Sequence, residues 1–144
     1  MTPALLDVNV LLALAWPNHQ YHAEAHRWFS RQARGGWATI AATQLAFIRL
    51  SSNPAYTPDA VSPRDAATLL SRWLTHPGHH FWPSPAAAAV EVYRNALGYH
   101  QVNDAYLVEA ARRAKGRLVT FDHRLKAHDP AGKVVCLIVE PLSR

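Results

Sequence analysis

Two short apolar runs at opposite ends of the chain each stop on an aspartate. The first is Leu5-Leu6-Asp7, continued by Val8-Asn9-Val10-Leu11-Leu12. The second is Leu118-Val119-Thr120-Phe121-Asp122. Runs of this length, bounded by turn-forming residues, read as buried strands. Strands that alternate with helical patterns need crossover connections, and these force a parallel sheet with helices on both faces. In such sheets ligands bind beyond the carboxyl ends of the strands. Asp7 and Asp122 both sit at such ends, so they are expected to share one rim. Asp104, at the start of a strongly periodic helix, can face the same crevice.

The pattern predicts an α/β domain over residues 1–144, with no linker or repeat to split it. Strand 1 covers Ala4 to Asp7, and a helix follows over Val10 to Ala15, with Asn9 as its cap. A second helix runs from Tyr21 to Arg34, and Gly35-Gly36 stops it. Trp37 to Ile40 reads as strand 2, and Thr43 as the N-cap of a helix from Gln44 to Ser52. Ser62-Pro63-Arg64-Asp65 reads as a helix start, with proline at the first helical position. His80 to Pro83 is a strand, Pro85 to Leu97 a helix, and Asp104 to Lys115 another helix closed by Gly116. Leu118 to Phe121 and Val134 to Val139 are the last strands.

Composition narrows the function. The chain has 144 residues, 49% of them hydrophobic and 17% charged, which suits one domain with a real core. The single cysteine, Cys136, lies in an apolar run and can build neither a disulfide framework nor a CxxC zinc knuckle. No stretch has the ~20 apolar residues of a membrane span, and no signal peptide is recognisable, so a cytoplasmic protein without a membrane partner is expected. The formal net charge of +5 favours a polyanionic partner. There is neither a GxxxxGK[ST] loop nor a GxGxxG fingerprint.

Three carboxylates at matching rim positions repel one another unless a cation neutralises them. Hard oxygen donors in an open site suit Mg²⁺, with Mn²⁺ able to substitute. Such an ion activates water and stabilises charge on a phosphoryl oxygen, so a phosphodiesterase follows from the acids and the basic surface together. Each acid also has a structural reading: Asp104 as an N-cap, Asp7 and Asp122 as strand-ending turn residues. His22 and His26, spaced i, i+4 on a helix, suit either a zinc site or a surface role. Trp16, Tyr21 and Tyr56 lie in or beside loops, where stacking on bases and packing are both open.

In family order, the segments Leu5 to Leu12, Thr43 to Pro54, Val102 to Ala111 and Leu118 to Asp122 resemble the PIN domain, specifically the VapC toxin ribonucleases of bacterial toxin–antitoxin pairs. The resemblance spans nearly the whole chain. It implies a three-layer α/β/α fold with a mainly parallel sheet and a divalent-metal-dependent endoribonuclease that hydrolyses RNA by metal-activated water. It also implies products with 5′-phosphate and 3′-hydroxyl ends, a cognate VapB-type antitoxin and a homodimer. Carried over by position, Asp7, Asp104 and Asp122 are metal ligands, and Asn9 and Thr120 support them by hydrogen bonds. Gln44 occupies the position where the family usually has a glutamate, and no acid lies between Glu24 and Asp59 to replace it. An amide brings no formal charge, so a weaker, single-metal site is expected. Arg49 can contact RNA or antitoxin, or form a salt bridge. The alternatives are a PIN domain that binds RNA or antitoxin without efficient cleavage, and a phosphohydrolase of small esters. The second lacks its DxD or DxxGT signature here, since the chain reads Asp7-Val8-Asn9.

Overall fold

Side-chain alternation along three central strands accounts for the layers. Ala4 and Leu6 of β1 (Ala4–Leu6) face one core while Leu5 faces another. In β2 (Trp37–Thr39), Trp37 joins the first core and Ala38 the second. In β4 (Arg117–Thr120) the same division separates Val119 from Leu118. With period 2, each strand therefore buries both of its faces. The computed structural model describes residues 2–138.

The first core is covered by α1 (Val8–Ala15), α2 (His22–Gln32), α3 (Ala41–Ser51) and α4 (Pro63–Leu74). The second is covered by α5 (Val102–Arg113) and the 3₁₀ segment His123–His128. Two further strands, β3 (His79–Phe81) and β5 (Val135–Leu137), complete a five-stranded, all-parallel sheet in the order β3-β2-β1-β4-β5. The expected three-layer α/β/α architecture is the one observed. Strand order runs outward from β1 to β3 on one side and from β4 to β5 on the other. The chain thus switches direction between β1 and β4, and their carboxyl ends open a crevice.

Several local expectations need correction. Asp7, not Asn9, caps α1: its Oδ1 accepts from the Val8 N–H at 2.7 Å, so the helix starts two residues before Val10. Thr43 lies inside α3, whose N-cap is Ile40. Its hydroxyl turns back to the Ile40 backbone N–H (3.1 Å) and C=O (3.0 Å). Asp104 is likewise inside the first turn of α5 rather than at its cap. Pro85 to Leu97 forms no α-helix and holds only the 3₁₀ turn Val90–Tyr93. The run is alanine-rich, but it buries too little to sustain a helix: Val92 is buried while Val90 is 82% exposed and Leu97 93%, and packing rather than propensity sustains short helices. The last strand is shorter than expected at both ends, and Val139 lies outside the described residues.

Ser62 caps α4 as anticipated, accepting from the Asp65 N–H at 3.1 Å. The end of α5 is a Schellman turn. Gly116 N–H donates to Ala111 O (2.9 Å) and Lys115 N–H to Arg112 O (3.0 Å), and Lys115 takes the left-handed conformation at φ 56°. Gly116 is needed for space instead: a Cβ there would lie 2.6 Å from the Trp82 ring and 2.8 Å from Pro3 O. Gly116→Ala is expected to lower the unfolding free energy by about 1–3 kcal/mol, read from urea titration. Wild-type stability in that variant would refute the packing argument.

Candidate active site

At the crevice, β1 hands the chain to α1 through Asp7. The Asp7 N–H donates to Val119 O at 2.9 Å, which fixes the end of β1 against β4. The carboxylate is 6% exposed and both oxygens are engaged. Oδ1 accepts from Val8, and Oδ2 accepts from the Thr120 hydroxyl at 2.7 Å. That hydroxyl is a hub, because it also accepts from Asn9 Nδ2 (3.2 Å) and from the Asp122 N–H (3.0 Å). One donor and two acceptor positions are all a threonine hydroxyl has, so its orientation is fully determined. The Asn9 Oδ1 in turn accepts from the Phe121 N–H at 3.4 Å. Thr120 and Asn9 thus link β1, α1 and β4 behind the carboxylates.

Asp104 reaches the same crevice from α5. With Asp7 it lines a cavity of about 310 Å³ between α3 and α5, walled by Val8, Leu45, Ala46, Leu50, Tyr106 and Leu107 and bordered by Asn103 and Arg49. Burial raises the Asp7 pKa to about 6. Hydrogen bonds from Thr120 and Val8 oppose that rise, and the charges of Asp104 and Asp122 add to it. Asp104 is raised too, by burial and then by Asp122, with His128 and Arg124 pulling the other way. Asp122 goes down instead, chiefly because Arg124 hydrogen-bonds its carboxylate. Asp7 and Asp104 line one cavity, and Asp122 is tied to Asp7 through the Thr120 hydroxyl that both of them bond.

Such a donor set fits a hard divalent cation: all oxygen, partly open, and short of positive charge at Asp7 and Asp104. Asp7, Asp104 and Asp122 are the candidates to hold one. Among the described residues no three His, Cys, Asp or Glu side chains are already gathered closely enough to do so. The Asp7 oxygens are turned onto Thr120 and Val8, and those of Asp122 onto Arg124.

Gln44 is turned out of this arrangement. Its Nε2 donates to Thr39 Oγ1 at 2.9 Å, and Thr39 Oγ1 lies 2.8 Å from His79 Nε2, so the side chain ties α3 to β2 and β3. From α3 the cavity is lined by Ala42, Thr43, Leu45, Ala46, Arg49 and Leu50, and Gln44 is not among them. Arg49 is partly exposed there and makes no salt bridge among the described residues.

The paired histidines of α2 turn inward to the backbone. His22 Nδ1 meets Ala13 O at 2.7 Å and His26 Nε2 meets Leu14 O at 2.8 Å, so they satisfy carbonyls that the end of α1 leaves open. Trp16 donates to Ser51 Oγ, and Tyr21 stacks on Phe121 at 4.6 Å, so neither ring is presented for a base; Tyr56 is exposed. Sequence reasoning passed over Asn103 and Tyr106 at the cavity, although both flank Asp104 within two residues. It also missed His128, 5% exposed, whose ring nitrogens meet no hydrogen-bond partner among the described residues. Nothing local in the sequence marks that position.

Residues 4–129 match the family model described as PIN domain. The chain is 42% identical over 137 residues to Ribonuclease VapC39 of Mycobacterium tuberculosis (strain ATCC 25618 / H37Rv), an alignment covering 93% of this chain and 99% of that protein. It is 43% identical over 119 residues to Ribonuclease VapC38 of the same strain, covering 83% and 84% respectively. Among solved structures, it superimposes on a chain of VapBC2 from Rickettsia felis bound to a promoter DNA fragment, with a TM-score of 0.63 and 12% identity, over 94% of this chain and 98% of that one. PAE2754 from Pyrobaculum aerophilum gives a TM-score of 0.62 at 21% identity, over 95% and 84%. At these identities the two structures speak to the fold alone. No helix among the described residues is long and apolar enough to cross a membrane.

Proposed function

Given that this chain belongs to the PIN-domain family, and within it to the VapC group that it matches over nearly its whole length, we propose that it is a divalent-cation-dependent endoribonuclease of a toxin–antitoxin pair. RNA as the substrate, a VapB-type antitoxin as the partner and a homodimer as the assembly belong to the same reading. The observation that carries it is the convergence of Asp7, Asp104 and Asp122 at the β1/β4 switch point, beside a cavity that Arg49 borders.

A Mg²⁺ or Mn²⁺ ion bound by these carboxylates would supply the charge that activates water and stabilises a phosphoryl oxygen. This chain's residues do the rest. Thr120 holds Asp7 in one orientation, so the carboxylate needs no reorganisation at the moment of reaction. Asp7 and Asp104 face the cavity where the phosphodiester is to lie, and the Arg49 guanidinium can take a non-bridging phosphate oxygen from the α3 side. The apolar wall of Leu45, Leu50 and Tyr106 excludes water from one side of the reacting linkage and gives a base or ribose a surface to pack on.

The test is cleavage of total cellular RNA with Mg²⁺ or Mn²⁺ supplied, followed by mapping of the new ends. Cleavage that stops on adding EDTA and leaves 5′-phosphates is expected. EDTA-resistant cleavage, or 2′,3′-cyclic phosphate ends, would refute the reading. The orientation of Gln44 supports a second one, in which α3 contributes no carboxylate and the site binds RNA without efficient turnover. RNA binding with no cleavage at any Mg²⁺ or Mn²⁺ concentration would favour that alternative.

A further inference from the structure

The Arg124 side chain is 78% exposed, yet it folds back on the acid two residues before it. Arg124 Nε donates to Asp122 Oδ1 at 3.0 Å and to Oδ2 at 3.1 Å, and Nη2 donates to Oδ2 at 2.9 Å. The Arg124 backbone N–H adds a further bond to Oδ1 at 3.0 Å. Each Asp122 oxygen therefore receives two hydrogen bonds, which fill its in-plane acceptor positions. Asp122 cannot aim those lone pairs at a metal ion while the guanidinium holds them.

Resting on the reading of the site as a cation-dependent ribonuclease centre, we propose that Arg124 is a resident counter-ion of the acid cluster. It competes with a divalent cation for Asp122, and when released it binds a phosphate of the RNA. A guanidinium fork fits carboxylate and phosphate oxygens equally well, so one side chain can serve both in turn. The exchange is cheap because the guanidinium lies in solvent, where a bridge contributes little to folding. It is also directional. A phosphate that draws Arg124 away uncovers Asp122, so RNA binding and cation binding strengthen each other, and by linkage each does so to the same degree. His123 and Lys126 stand beside Arg124 on the same segment and extend a basic rim along which a polyanion can approach.

Mn²⁺ affinity, measured by calorimetry on the intact protein, separates this role from a merely structural one. The parent, Arg124→Gln, Arg124→Lys and Asp104→Asn are compared, each with and without a single-stranded oligodeoxynucleotide that carries phosphates but is not RNA. Arg124→Gln is expected to bind Mn²⁺ roughly three- to tenfold tighter than the parent. It should bind the oligonucleotide more weakly, with a salt slope smaller by about one. Arg124→Lys, which keeps the charge and loses the fork, should tighten Mn²⁺ binding by less. In the parent the oligonucleotide should raise Mn²⁺ affinity, and in Arg124→Gln that enhancement should shrink. If Arg124→Gln binds Mn²⁺ no more tightly than the parent while Asp104→Asn loses the ion, the counter-ion role is overturned and the metal site stands. If neither binds Mn²⁺ better than Asp104→Asn, the metal site itself is refuted and the counter-ion role goes with it.

Discussion

Asp7→Asn removes at least about a hundredfold of RNA cleavage, since loss of a residue that holds the ion exceeds the 10–100-fold typical of its supporting partners. The same substitution raises the melting temperature at pH 7.5 in EDTA. The two effects share one cause. Asp7 is buried, and its pKa rises from 3.8 to about 6, so the folded protein prefers the neutral carboxyl. The stabilisation from that neutral form is complete below pH 3.8 and disappears as pH rises through about 6, a loss of about 3 kcal/mol by linkage. Asparagine keeps the cap to Val8 and never ionises. Its amide nitrogen, however, cannot accept from Thr120, which takes back part of the gain. In EDTA, thermal melts of parent and variant from pH 4 to 8 should diverge between pH 4 and about 6 and stay apart above it, by several degrees and at most ~10 °C. Asp122 and Asp129, shifted down, lose stability on the acid side in both proteins, and Asp104, shifted up, loses it on the alkaline side, so the difference curve reports Asp7 together with its coupling to Asp104. A difference that stays flat across this range would show that Asp7 carries no raised pKa.

Thr120→Val conserves shape and deletes the hub. The Asp7 Oδ2, the Asn9 amide and the Asp122 N–H lose a common partner at once, inside a buried site. Each orphaned group costs about 1–3 kcal/mol, so a clear fall in stability is expected together with a 10–100-fold drop in cleavage. Thr120→Ser retains the hydroxyl and should recover most of both. Asp7 also loses a bond that holds its pKa down, so Thr120→Val should move the alkaline shift in stability to higher pH. Parent-like kinetics in Thr120→Val would mean that the carboxylate needs no such alignment.

Much of this molecule was legible in its residues. The apolar runs that lead to Asp7 and Asp122 and the Ser62-Pro63 helix start fall where periodicity and capping chemistry place them, and the Asp104 helix is present but begins two residues earlier, at Val102. Where local signals misled, a longer-range contact had won. Alanine-rich Pro85 to Leu97 has the propensity of a helix but buries only Val92 among its large apolar side chains, with Val90 and Leu97 left exposed. Gln44 stands where the resemblance implies a glutamate, but its side chain turns to Thr39. His22 and His26 have metal-ligand spacing, yet they are taken up by the carbonyls at the end of α1.

The sequence by itself determined the alternation of strands and helices and the two carboxylates placed at strand ends, because hydrophobic period and cap chemistry act between near neighbours. Only the tertiary structure decided that β1 lies against β4, so that Thr120 bonds a carboxylate 113 residues away and Asp7 becomes buried enough to resist ionisation. Adjacency and dielectric environment are properties of the packed whole, since they depend on which surfaces exclude water together, and no stretch of the chain encodes them alone.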